Sequence, residues 1–250
     1  MTPDGTHAGI LRTGGHGGRH VLLIHGALDR AAGMALLARH LAPHADTTRY
    51  DRRGYGSRWD ESGSCSIDAH IDDAIRILDG RASWLVGHSL GGDIALGVAD
   101  RRPDLVRGVT VYETPLSWMP FWPQDSAGAV GVRSGPEKGA EAFMIRMIGQ
   151  ERWDALPDRT KQARRREGRA LVEELSSLRT GPPWRPDAIS CPVIVGRGSR
   201  GAVHHQEGAQ WIAEHVAGAQ LRILEGAGHG AHTTHARLFA EELVIPLLSS

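Results

Sequence analysis

Cysteine, phenylalanine and tyrosine are scarce in this 250-residue chain, with two, three and three copies respectively. Net charge is missing altogether, because 29 Lys+Arg balance 29 Asp+Glu. Each shortage excludes something. Cys65 and Cys191 are too few for a disulfide-stapled secreted scaffold, and Cys191, directly before Pro192-Val193-Ile194-Val195, reads as a small strand-edge residue. A balanced charge leaves no electrostatic footprint for nucleic acid or an anionic membrane surface. The dense basic cluster Arg164-Arg165-Arg166 is followed by Glu167, Glu173 and Glu174, and reads as a solvated helix face. No run approaches the roughly 18 consecutive apolar residues of a membrane span. The first 18 residues are rich in Gly, His and Thr and lack the apolar centre of a secretory leader, so the expected compartment is the cytoplasm.

What is present is an alternation of short apolar runs with helical patterns, which predicts an α/β fold on a doubly wound, mostly parallel sheet. The expected strands are Val21–Ile24, Thr47–Tyr50, Trp84–Val86, Val109–Tyr112, Val193–Val195 and Leu221–Leu224. Helices are expected at Ala31–Leu41, at Ile67–Leu78 with Ile67, Ile71, Ile75 and Leu78 on one face, at Ser89–Asp100, and at Thr234–Leu243. Residues 116–185 break the rhythm. Pro115, Pro120 and Pro123 open the segment, Pro182-Pro183 closes it, and helical patterns lie near Gly139–Met147 and Lys161–Leu178. It is expected to be an inserted helical lid, with 1–115 and 186–250 forming the core.

Chemistry concentrates at Gly87-His88-Ser89-Leu90-Gly91-Gly92. A buried strand precedes this G-x-S-x-G pattern and a helical segment follows it, the context a nucleophile elbow requires. Such a turn lifts the Ser89 hydroxyl above the sheet edge and aims a helix N-terminus at the reacting oxygen. His88, inside the elbow, reads as a packing or hydrogen-bonding residue. Acyl transfer needs two fixed N–H donors for the developing oxyanion. The backbone of Leu90 is one candidate. The other comes from His25-Gly26-Ala27 after the first buried strand, with Ala27 preferred and Leu28 its neighbour. Near the C-terminus, Glu225-Gly226-Ala227-Gly228-His229-Gly230 forms a flexible loop that can present His229 as a base. The nearby His232 and His235 lack a carboxylate or cysteine at ligand spacing, so no metal is expected.

Taken together, Leu22-Leu23-Ile24-His25-Gly26, Asp51-Arg52-Arg53-Gly54-Tyr55-Gly56-Ser57, Gly87 to Gly92 and Gly226 to His229 resemble the α/β-hydrolase superfamily. The likeness is to its lid-bearing group of esterases, C–C hydrolases, perhydrolases and haloalkane dehalogenases. It implies a chain order of serine, acid, histidine. Many such enzymes carry an aspartate in the loop that here reads Gly196-Arg197-Gly198-Ser199-Arg200-Gly201-Ala202, which has no carboxylate. A subset places the acid after the preceding strand, where this chain has Glu113, and Glu207 is the rival.

The resemblance implies a cofactor-free serine hydrolase of carboxylic esters working through an acyl-enzyme. Thioester, lactone and C–C substrates remain alternatives, and Ser89 at the elbow argues against dehalogenase or epoxide chemistry. Trp118, Phe121, Trp122 and Met144 are expected to wall an apolar pocket, with Met147 beside them. Arg53 and Tyr55 read as buttresses of the elbow. The expected partner is a small ester-like molecule. A non-catalytic ligand-binding protein on the same fold is the alternative from another class.

Overall fold

His20–Ile24 (β2) is buried along its whole length. Its alternate residues serve two separate cores: Leu22 and Ile24 pack on one face of the sheet, Val21 and Leu23 on the other. Such a strand must be central and covered by helices on both sides. The computed structural model describes residues 9–14, 18–124, 133 and 135–249. Among these, seven strands form one sheet, ordered β1-β3-β2-β4-β5-β6-β7. The others are Ile10–Thr13 (β1), Asp46–Tyr50 (β3), Ser83–His88 (β4), Val106–Tyr112 (β5), Val193–Gly198 (β6) and Gln220–Leu224 (β7). All neighbours from β3 to β7 are parallel. β1, which its sequence did not announce, pairs antiparallel with β3 at the edge. Its four residues, none of them buried, offer neither an apolar run nor alternation.

The helices of the core are Ala35–Leu41 (α1), Ile67–Leu78 (α2), Leu90–Arg101 (α3) and Val203–His215 (α8). α2 starts where the Ser66 hydroxyl accepts from the Ala69 N–H, and it ends at Asp79 in the left-handed conformation. It buries Ile67, Ile71 and Leu78, as its spacing requires. The C-terminal segment is not the single helix expected at Thr234–Leu243. Helical turns run from Ala231 to Leu248, with a π-helical stretch at Ala240–Val244. Pro246 has no N–H to give the carbonyl four residues earlier, and Arg222 Nη1 donates to that Glu242 carbonyl at 2.6 Å instead.

Between β5 and β6 the chain leaves the sheet and forms Pro136–Ile148 (α4), Gln150–Asp154 (α5), Asp158–Arg166 (α6) and Gly168–Arg179 (α7). The one helix expected over Lys161–Leu178 is thus two. α6 buries none of its residues, whereas α7 buries Ala170, Leu171 and Leu178. The break falls at Glu167, whose buried carboxylate turns inward to accept from Arg30 Nη2 at 2.5 Å and from the Gly56 N–H at 3.0 Å. Gly168 follows because a β-carbon there would lie 2.0 Å from the Pro136 carbonyl oxygen of α4. The basic cluster is not a bare solvated face either. Arg164 meets Glu167, Arg165 meets Glu141, and Arg166 lies over Trp59 at 4.3 Å. Both cysteines are free thiols. Among the described residues, no helix is long and apolar enough to cross a membrane.

Candidate active site

Parallel strands put their carboxyl ends on one edge, and there β2, β4, β5 and β6 deliver their loops side by side. β4 ends at His88, α3 begins at Leu90, and Ser89 between them has φ 53° and ψ −129°. That backbone is disfavoured for a side-chain-bearing residue and holds only if the neighbours enforce it. They do so by close packing. A β-carbon on Gly87 would lie 2.3 Å from the Gly91 oxygen, and one on Gly91 would lie 2.2 Å from the Ile24 oxygen. The Ser89 N–H donates to the Tyr112 carbonyl at 2.8 Å, tying the turn to β5.

Glu113 follows β5 and is also left-handed, with φ 46°. Its carboxylate is fully buried, accepting from His229 Nδ1 at 2.8 Å and from the Gly198 N–H at 3.0 Å. Because the carboxylate accepts, Nδ1 carries the imidazole proton and Nε2 keeps its lone pair. The His229 loop is pinned from beneath. Tyr112 donates its hydroxyl to the Gly228 carbonyl at 2.9 Å, and His88 Nε2 donates to the His229 carbonyl at 2.8 Å. Burial, followed by the nearby His232 and His229, holds the His88 pKa well below the ordinary imidazole value, so it is a neutral donor. The rival Glu207 lines a separate surface hollow with Phe121 and Trp211.

Ala27, Ser89, Leu90 and His229 line one cavity. Leu28 is the third non-glycine residue here with positive φ, at 50°. Of the two candidate donors, Ala27 lines this cavity and Leu28 does not. Of the aromatic and methionine residues expected at the pocket, Trp122 and Met147 line this cavity. Met144 lines an adjoining one that also reaches Ser89 and His229. Trp118 instead packs edge-on against Trp184 at 6.0 Å, and Phe121 faces the surface hollow. The structure adds Phe143, Leu175, His204 and His205, which sequence reasoning passed over. Only position could have signalled the two histidines: they open the helix after β6, on the edge that carries Ser89 and Glu113. The His205 ring stacks on His229 with centroids 4.6 Å apart.

Among the described residues, two groups place three metal-ligand atoms within 4.8 Å of one another: Asp29, His88 and His232, and Glu113, His205 and His229. In the first, the His88 and His232 rings lie 3.8 Å apart with a 38° tilt, and His232 Nε2 stands 3.2 Å from Asp29, a carboxylate 203 residues away in the chain. In the second, His229 Nδ1 meets Glu113 at 2.8 Å.

Fold and edge geometry together define an α/β-fold hydrolase. The sequence profile of the alpha/beta hydrolase family matches residues 21–242, and the chain belongs to that family. It is 28% identical over 192 residues to the pimeloyl-[acyl-carrier protein] methyl ester esterase of Neisseria meningitidis serogroup C, a match spanning 72% of each chain. It superposes on an esterase from Exiguobacterium antarcticum with a TM-score of 0.77 at 17% identity, covering 96% of this chain and 95% of that one. It also superposes on an enol-lactonase from Burkholderia xenovorans LB400, with a TM-score of 0.75 at 20% identity and 96% of each chain covered. At these identities the two structures establish a common fold.

Proposed function

We propose that the protein hydrolyses carboxylic esters through an acyl-enzyme on Ser89, with His229 as base and Glu113 orienting that base. The observation that carries this reading is the 2.8 Å contact between Glu113 and His229 Nδ1, made at the edge of the cavity that Ser89 lines. With Nδ1 bound, Nε2 is free to take the Ser89 proton as Oγ attacks the acyl carbon. The N–H groups of Ala27 and Leu90 receive the oxyanion. The proton then passes to the departing alkoxide. Water attacks the ester of Ser89, giving its proton to His229, and the acid leaves as Ser89 is reprotonated.

Residues 116–185 serve as the cap that shapes the substrate site. Trp122, Phe143, Met147 and Leu175 give the cavity apolar walls that suit an acyl chain, and Arg146 and Arg179 line it as well. That substrate class is supported by the Neisseria meningitidis relative, a methyl ester esterase.

The test is a panel of aryl esters of increasing acyl length, with a thioester and a lactone alongside, run on the native protein and on Ser89→Ala, Glu113→Gln and His229→Ala. Turnover lost in all three variants supports the reading. A native protein that is inert on the whole panel and does not react with a fluorophosphonate would instead mark a ligand-binding protein on this fold.

A further inference from the structure

The peptide joining Gly26 to Ala27 has the proposed oxyanion donor at its nitrogen. Its oxygen is unusually well supplied with donors of its own. His25 Nδ1 donates to the Gly26 oxygen at 2.8 Å and Arg52 Nη2 at 2.9 Å. Arg52 Nε donates to the His25 oxygen at 3.0 Å, so one guanidinium grips two consecutive carbonyls of the loop. The Arg52 backbone N–H donates to His25 Nε2 at 3.0 Å. Burial, then the Arg52 cation, pushes the His25 pKa down to about 3, so the ring is neutral and its single N–H is the one on Gly26.

Arg52 is itself fully buried and is held by the cap. Its Nη1 meets Glu174 Oε2 of α7 at 2.6 Å, with both side chains wholly inaccessible. Tyr55 donates its hydroxyl to Glu174 Oε1 at 2.5 Å. Although burial opposes ionisation, Arg52 and the adjacent His70 hold the Glu174 carboxyl at about 2, so the pair is ionic.

We propose that Arg52, fixed by Glu174 of the cap, is a positioning residue for the oxyanion donor. The inference rests on the reading of the Ala27 N–H as that donor. In a trans peptide the C=O and N–H point in opposite directions. A cation anchored on the oxygen therefore aims the N–H at the cavity. It also draws electron density from the nitrogen through the amide resonance, which makes the N–H a stronger donor. In a water-excluded site such polarisation is felt most where charge develops, in the transition state rather than in the bound ester. A purely mechanical tie between cap and core has no need of contacts to these two carbonyls, and Arg30 with Glu167 already supplies one.

The experiment compares the native protein with Arg52→Met, Arg52→Lys and the double variant Arg52→Met/Glu174→Gln. The double variant leaves no orphaned buried charge, so it decides the matter where Arg52→Met alone does not fold. The measurements are kcat and KM on the best ester of the panel, affinity for an aryl boronic acid as oxyanion mimic, and Tm. The expected result is a roughly 10-fold or greater loss of kcat, within the ceiling of about 10²–10³ for deleting a donor outright. KM should stay within about 2-fold, boronate affinity should fall in step with kcat, and Arg52→Lys should recover part of the loss. Folded variants with native kcat and boronate affinity but lowered Tm would show a structural tie only and overturn the proposal. A native protein that hydrolyses nothing and resists fluorophosphonate overturns the esterase reading and this inference with it.

Discussion

Glu113 and His229 stand 116 residues apart in the chain and 2.8 Å apart in space. The second oxygen of Glu113 is spent on the Gly198 N–H, so the carboxylate is fixed by β6 while it fixes the imidazole. A β-carbon on Gly201 would fall 2.2 Å from that oxygen, which keeps the loop after β6 small where the carboxylate passes.

Replacing Glu113 with Gln preserves the shape and removes the acceptor. An amide keeping its oxygen on Gly198 must present NH₂ to His229, favouring the wrong tautomer. The expected loss in kcat is about 10³–10⁴-fold, as for comparable substitutions in other triads, with the far-UV spectrum and Tm close to native. A folded Glu113→Gln protein retaining more than a tenth of native kcat would exclude Glu113 as the orienting acid.

Gly91→Ala tests the elbow sterically. Its β-carbon would sit 2.2 Å from the Ile24 oxygen and 2.9 Å from the His25 oxygen, both backbone atoms that cannot rotate away. Overpacking of this kind costs about 1–3 kcal/mol and more where backbone must shift. Urea unfolding should show a midpoint lowered by at least the equivalent of 2 kcal/mol, in the range for overpacking. An unchanged midpoint would mean the elbow is looser than its contacts indicate.

Asp93, in the helix that follows Ser89, gives a pH signature. It is wholly buried, and Trp184 Nε1 donates to its Oδ1 at 3.1 Å. Burial raises its pKa well above the ordinary carboxylate value, outweighing that hydrogen bond. The folded protein therefore holds the proton while the unfolded chain releases it, and stability drains away as pH climbs above the unfolded pKa. Asp93→Asn removes this contribution. The Tm of the variant minus that of the native protein should rise steadily from pH 4 to pH 7. A difference that is flat or falls with pH would show that Asp93 is ionised in the fold.

The helices between β5 and β6 are tied to the core at Glu167, whose carboxylate serves Arg30, Arg164 and the Gly56 N–H. Glu167→Ala strands these donors and should cost about 3–5 kcal/mol, as when one partner of a buried pair is deleted. Glu167→Gln keeps an acceptor for Gly56 and should cost clearly less. Equal losses in the two variants, measured by denaturant unfolding, would place the contribution in the charge rather than in packing or the Gly56 acceptor.

The parallel sheet was legible in the chain because its strands are buried on both faces and therefore appear as unbroken apolar runs such as Val21–Ile24. The elbow was legible because its steric demands are local: Gly87, Ser89 and Gly91 touch one another or the adjacent strand. The loop that carries His229 stood out by its glycines, and residues 196–202 visibly contain no carboxylate.

Only the tertiary structure decided the rest. It put β1 on the sheet edge, broke the expected Lys161–Leu178 helix at Glu167, and sent Phe121 and Trp118 away from the cavity while bringing in Phe143 and His205. It also joined Arg52 to Glu174 across 122 residues, beside the His25-Gly26 loop. Periodicity reports which face of an element is buried, but not what it is buried against. Hydrophobic burial has no direction, so the same aromatic satisfies it against the core, against a cap helix or in a substrate cavity. The partner is chosen only when the whole chain has packed.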